Sequence, residues 1–376
     1  MSRLIICVCV AMLLLGFGNQ SQGQSFVKRY LRYVLQDTTS SAEPKFIAYP
    51  TLAYAPETSF EFGVSSVLVY RAKRDTANRL SEVSSFSFIT LENQFGGFID
   101  HAIYTHRDRF FFLGLIKYQN FPLSYFDIGP NTAPNVTATI AASEFRFRER
   151  VLVKLLPSLY TGPEVDFELM RNVRFDVEDI NSFVYPMGRD GFLDLSLGWG
   201  LLYDNRHNVL NVRDGLFAEI AWLTSQQQWG STFSFNSLFS DLRVYRPVGK
   251  HNVFAFQLYG QFTEGTVPFN QLALMGGERL MRGYYLGRYR DKNLIASQCE
   301  FRVLPLPFAK RWGVSAFASA GQVSPDLNGF QLNRIRIAGG LGPRFLLFPK
   351  KDIYTRFDVA FTPEGYGLYF FIGEAF

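Results

Sequence analysis

From Lys45 to Phe376 the chain is built of segments of roughly ten to fourteen residues in which apolar and polar side chains alternate, with no helix-period stretch of domain size between them. Successive side chains of a strand point to opposite faces, so each segment makes a sheet with one apolar and one polar surface. In "FLDLSLGWGLLY", Leu193, Leu195, Leu197, Trp199, Leu201 and Tyr203 share a face, and Asp194, Ser196, Gly198 and Gly200 share the other. In "EFRFRERVLVKL", Phe145, Phe147, Val151, Val153 and Leu155 oppose Arg146, Arg148, Arg150 and Lys154. Ordinary strands run to about five or six residues, whereas a tilted strand that crosses a bilayer needs about nine to eleven. The segments number about sixteen, from 45–55 and 59–72, through 145–157 and 161–176, to 352–362 and 366–376.

A soluble sandwich also alternates, but it turns its charged face outward over an apolar core. Here the aromatic load, 39 Phe and 19 Tyr against only 19% charged residues, asks for an apolar surroundings on the outside. No run of about 18 uncharged apolar residues follows the first twenty, which excludes a helical membrane protein. In lipid every backbone N–H and C=O must be paired internally, and strands achieve this by closing on themselves. The expected fold is therefore all-β: a transmembrane antiparallel β-barrel of about sixteen strands, with its polar faces lining a wet lumen.

Residues 1–23 read as a secretory signal: Arg3, then "LIICVCVAMLLLGFG", then small polar residues. Residues 24–44 follow as a short periplasmic segment in which Val27, Tyr30, Leu31 and Val34 share a helical face, and 45–376 form the barrel. Cys7 and Cys9 fall in the signal, so Cys299 alone remains and no intramolecular disulfide is expected. The net charge of +5 is small and scattered, which gives no nucleic-acid footprint. His101, His106, His207 and His251 lie in separate segments without metal-ligand spacing, and no Gly-x-Ser-x-Gly occurs. Neither an enzyme, a metal nor a cofactor is expected.

One connection breaks the pattern. Residues 263–292, between the eleventh and twelfth segments, contain "GGERLMRGYYLGRYRD". An odd strand runs from periplasm to exterior, so this loop begins at the outer face. Glycines permit close approach, an arginine pairs with an acid on the wall, and tyrosines pack inside, all of which suit a loop folded into the lumen. The stretch resembles the signature of the BamA/TamA-type outer-membrane barrel superfamily, whose inward loop carries (V/I)-R-G-(F/Y); Met281, Arg282, Gly283 and Tyr284 stand in those places, after Gly276 and Gly277. The next strand resembles D-x-N…S-x-E-x-R through Asp291, Asn293, Ser297, Glu300 and Arg302. "FASAGQV" resembles F-x-D-x-G, and "LLYDNRHNVLNVRDGLF" resembles D-x-R…G through Asp204, Arg206 and Gly215.

The resemblance implies an integral protein of the bacterial outer membrane that assists insertion or export of client outer-membrane proteins or lipid, without a cofactor. The family's aspartate that pairs with the loop arginine is Ser319 here, so either Glu300 or Asp358 is the candidate acid for Arg282. Met281 replaces a β-branched residue. The barrel starts some twenty residues after signal cleavage, which makes this resemble a short member without POTRA repeats. Pro50 in the first strand and Gly367, Gly373 and Phe376 in the last mark a weak seam, the proposed lateral opening of this family, or else a rim proline and glycines that relieve crowding. Two other functions fit the same chain: a passive or gated pore, and the membrane half of a complex whose periplasmic part is a separate partner.

Overall fold

Alternation of side chains along long segments gives long strands. The computed structural model describes residues 43–55, 59–91, 94–120 and 122–376, so the signal and the amphipathic stretch at 24–42 lie outside the described residues. Among the described residues nineteen strands form: β1 (Lys45–Ala55), β2 (Ser59–Arg71), β3 (Leu80–Thr90), β4 (Phe95–Tyr104), β5 (Phe110–Asn120), β6 (Leu123–Tyr125), β7 (Ala138–Leu156), β8 (Leu159–Val177), β9 (Phe192–Asp204) and β10 (Gly215–Ser225), then β11 (Phe235–Val248), β12 (Asn252–Gly265), β13 (Ala273–Met275), β14 (Tyr289–Asp291), β15 (Asn293–Val303), β16 (Trp312–Ser324), β17 (Arg336–Phe348), β18 (Ile353–Thr362) and β19 (Gly365–Ile372). Sixteen of them are long staves, each antiparallel to the next along the chain. The three-residue β6 pairs with the start of β7, and β13 and β14 form a ribbon of their own.

The meander curls until its two ends meet. Ile47 of β1 and Val67 and Val69 of β2 pack with Leu347 and Phe348 of β17 and Ile353 of β18. Among the described residues no ladder pairs β1 with β19. The distribution of side chains is inside out. Trp199, Trp222 and Leu341 are more than half exposed on the outer wall, while Glu168, Arg302, Arg344 and Asp358 are fully buried within. A soluble protein does the reverse, because charge is cheapest in water. This is the arrangement of a barrel with a lipid-facing wall and a polar interior.

Two boundaries differ from the sequence reading by more than three residues. β7 begins at Ala138 rather than 145, because Ala138, Ile140 and Ala142 bury beneath Tyr125, Phe192 and Phe269; small residues gave too little contrast to mark the alternation. β19 stops at Ile372. Gly373 takes φ +86° and turns the chain inward, so Phe376 is not part of a seam. It packs inside the barrel against Tyr245 of β11, with ring centres 6.2 Å apart.

Seven connections share an end with the start of β1 and the close of β19; we call this the terminal end, and the opposite one the loop end. At the terminal end, the turn 205–214 between β9 and β10 reaches the turn that joins β17 to β18. There Arg213 donates to both carboxylate oxygens of Asp352 (2.5 and 2.8 Å) and to the carbonyl of Leu304 (2.8 Å). Asn211 also donates to Asp352 (3.0 Å), and Asn208 to the carbonyl of Lys351 (2.9 Å). Staves eight and nine are thereby strapped to staves fourteen and fifteen, across the mouth of the barrel.

Candidate functional site

At the loop end, residues 266–292 fold into the lumen. β13 and β14 form the stem, and the tip is packed with left-handed backbone: Gly276 at φ +119°, Gly277 at +106°, Met281 at +54° and Gly283 at +108°. A Cβ on Gly276 would lie 2.0 Å from the carbonyl oxygen of Tyr285, so only glycine lets the two sides of the tip cross. Met281, Tyr284 and Tyr289 pack with Leu294 and Ala296 of β15, Val323 of β16 and Ala338 of β17. Gly321, the glycine of "FASAGQV", makes room for this: a Cβ there would lie 3.1 and 3.2 Å from the sulfur atoms of Met275 and Met281.

The tip places Arg282 in the wall's polar face, fully buried. Its Nη1 donates to Asp358 Oδ2 (2.6 Å) and its Nη2 to Glu300 Oε2 (2.8 Å), so one guanidinium joins β18 to β15. Its plane lies over Phe317 of β16, 3.5 Å from the ring centre. Arg344 of β17 takes the other oxygen of each acid, Asp358 Oδ1 at 2.6 Å and Glu300 Oε1 at 2.9 Å. Two arginines and two carboxylates thus close a ring. Ser315 also donates to Glu300 (2.5 Å), Arg302 lies 3.3 Å from it, and Arg356 donates to Asp358 (2.8 Å).

The network continues to the chain's last residues. Glu374 accepts from Arg344 (3.0 Å) and lies 3.7 Å from Arg302, which donates to the carbonyl oxygen of Phe376 (3.1 Å). Neighbouring contacts hold the tip's backbone: Gly283 N–H donates to the Tyr369 hydroxyl (2.9 Å), and the Tyr284 hydroxyl donates to the carbonyl of Ile337 (3.1 Å). On the far wall Gln271 of the same loop donates to Glu168 of β8 (2.7 Å). In the stem, burial lowers the Arg290 guanidinium to about 10, against the smaller opposing pull of Tyr125, on whose ring it lies.

The structure brings Arg282, Glu300 and Asp358 together, with both acids rather than one on the arginine. Ser319 makes only a hydrogen bond to the carbonyl of Ala338 (3.4 Å). Asp291 accepts from the backbone N–H of Lys292 (2.9 Å) and Asn293 donates to the carbonyl of Ser324 (3.2 Å), fixing where the loop rejoins the wall. Asp204 and Arg206 lie elsewhere, at the root of the strap. Arg206 grips Asp204 through two bonds of 3.0 Å, and Tyr104 of β4 donates to the same carboxylate (2.9 Å). Pro50 lies midway along β1 opposite Val64, and Gly367 pairs with Ala360 in β19.

Sequence reasoning missed Arg344, Ser315 and Glu374 as partners. Counting by twos from Ile337 and Leu341 puts Arg344 on the inner face, and that parity is the signal that was available. Arg146, Arg148 and Arg150 pair with acids of the neighbouring β8: Arg146 with Asp166 (2.6 Å) and Arg148 with Glu164 (2.5 Å) one step off the register, and Arg150 with Glu164 directly opposite (2.9 Å), all within reach of a long side chain on the same face; Arg150 also meets Glu219 of β10.

A family model described as the Omp85 superfamily domain matches residues 131–376, the span that holds the inward loop, both of its acids and the strap. The chain belongs to the Omp85 superfamily. Solved structures share the fold: BamA from Haemophilus ducreyi lacking POTRA domains 1–3 (16% identity, TM-score 0.53, covering 88% of this chain and 69% of that one), and CdiB from Acinetobacter baumannii and from Escherichia coli (each 10% identity, TM-score 0.52 and 88% of this chain). The match spans 59% and 62% of the two CdiB chains. No curated protein matches the sequence. Membership points to the bacterial outer membrane and to a superfamily of non-enzymatic transporters and assembly factors.

Proposed function

We propose that this Omp85 barrel assists the insertion or export of a protein or lipid client at the bacterial outer membrane, with the Arg282 lock setting how far the lumen and the β1–β19 edge can open. The observation that carries this reading is the fully buried Arg282 bridging Glu300 and Asp358, which ties a loop to two staves on the side of the barrel where β1 and β19 meet. A simple conduit gains nothing from an arginine buried at such cost; a wall that must hold one shape and release it does. The barrel's wall meets outer-membrane lipid, and clients or a separate periplasmic protein are its partners in this reading.

The test is the folding rate of an unfolded test barrel into liposomes carrying this protein, its Arg282→Ala variant, or no protein. Acceleration by the wild type and its loss in the variant are expected. If neither version speeds folding, autonomous insertion is abandoned. Acceleration that appears only after a co-purifying periplasmic protein is added moves the activity to a complex.

A further inference from the structure

The two ends of the barrel carry opposite charge. The seven terminal-end turns, among them "AKRDTANR", "THRDR", "GKH", "LPLPFAKR" and "PKKD", contain twelve Lys and Arg against four Asp. Outside the inward loop, the loop-end connections contain two Arg against eight Asp and Glu. Internal pairing absorbs some of the terminal-end charge: Arg79, Arg206 and Arg213 lie against Asp204 and Asp352. It does not absorb Lys73, Arg74, Arg107, Arg109, Lys250 and Lys310, which are exposed and make no ion pair with a described residue.

We propose that this terminal-end collar binds the headgroups of anionic phospholipids in the leaflet that surrounds it. The six cations stand on the turns β2–β3, β4–β5, β11–β12 and β15–β16, and so are spread round the rim. A leaflet meets a barrel as a ring, whereas a folded protein partner covers a patch. Beside the cations the wall is aromatic: Phe308 is 85% exposed on the same turn as Lys310, and Trp312, half exposed, stacks edge-on against Phe345 with ring centres 5.2 Å apart. An aromatic at headgroup depth next to a lysine whose stem lies along apolar surface is the usual chemistry of a membrane interface. Basic side chains within a Debye length of an anionic surface are attracted to it, and acidic loops at the other end are repelled. The same collar therefore favours the orientation that puts the terminal end at the anionic leaflet.

The test uses the folded full-length protein in phosphatidylcholine vesicles containing traces of spin-labelled phosphatidylglycerol or spin-labelled phosphatidylcholine, and reads the motionally restricted fraction of each label. Severalfold selectivity for phosphatidylglycerol is expected, falling with added salt and lost in a Lys73→Gln, Arg74→Gln, Lys250→Gln, Lys310→Gln variant whose heat-dependent gel mobility shows a folded barrel. An Arg189→Gln, Arg334→Gln variant at the loop end should keep the selectivity. Equal association of the two lipids with the wild type overturns the proposal, as does selectivity that survives the four substitutions. If the quadruple variant fails to fold, the salt titration of the wild type decides, and selectivity indifferent to salt overturns the proposal. Loss of an acidic periplasmic protein from the variant, with no lipid selectivity in either form, assigns the collar to a protein and also overturns it.

Discussion

At Arg282 the arithmetic of charge predicts which substitutions matter. Four guanidinium groups, of Arg282, Arg302, Arg344 and Arg356, share three carboxylates, of Glu300, Asp358 and Glu374. Removing an arginine balances the set, while removing an acid leaves four cations around two. Breaking a buried pair from the side already in deficit costs about 3–5 kcal/mol, because the orphaned charge stays desolvated. Asp358→Asn is therefore expected to lower the barrel's melting temperature more than Arg282→Ala, although both expose residues 276–289 to protease. An Arg282→Ala barrel that melts first would overturn this ordering. Arg282→Lys should release the loop nearly as fully as alanine, since one ammonium cannot reach both Asp358 and Glu300 in the places of a planar fork. Protease cutting within 276–289 at the wild-type rate would show that a single charge suffices.

At the scale of elements, the loop and the strap are each held by a few contacts that substitution can reach. Gly321→Val would push side-chain carbon toward Met275 and Met281, whose sulfur atoms already border the space of a Cβ, so the loop tip should lift while the ladder of β16 persists. Faster hydrogen exchange at 276–289 with β16 protection retained is the expected result; loss of protection in β16 itself would mean the strand, not the loop, gave way. Arg213→Ala removes both bonds to Asp352 and should speed exchange across 205–214. Unchanged exchange there would place the strap's hold in the packing of Leu210 instead. The staves were readable because a period of two states directly which side faces lipid: Leu193 to Tyr203 needed no knowledge of neighbours. Glu374 and the strap were not, because their partners sit far along the chain and meet only when the sheet curls. Gly373 is the instructive case. A glycine in an alternating run reads equally as a loosened strand or as a turn, and the choice was made by Glu374 finding Arg344 inside.

For the whole molecule, the two obstructions lie in series along one axis. The inward loop occupies the lumen from one end, anchored at Arg282 and at Gln271, and the strap of 205–214 crosses the opposite mouth, clasped at Asp352 and bonded through the carbonyl of Leu210 to the N–H of Glu374 (2.9 Å). Resistances in series add, so clearing the smaller of two leaves most of the total. The ion network also runs from Arg282 through Arg344 to Glu374, which makes loop, last strand and strap one connected body beside the β1–β19 edge, which no ladder joins among the described residues. In planar bilayers the wild type is therefore expected to conduct weakly, and Arg282→Ala and Arg213→Ala each to raise conductance little. The double variant should raise it by more than the product of the two single effects, the signature of two gates on one path. A single substitution that opens the barrel fully would show that only one end is closed. A double variant no more conductive than the singles would mean that the lumen is filled by side chains between the ends, with Arg146, Asp166 and their neighbours the first residues to examine.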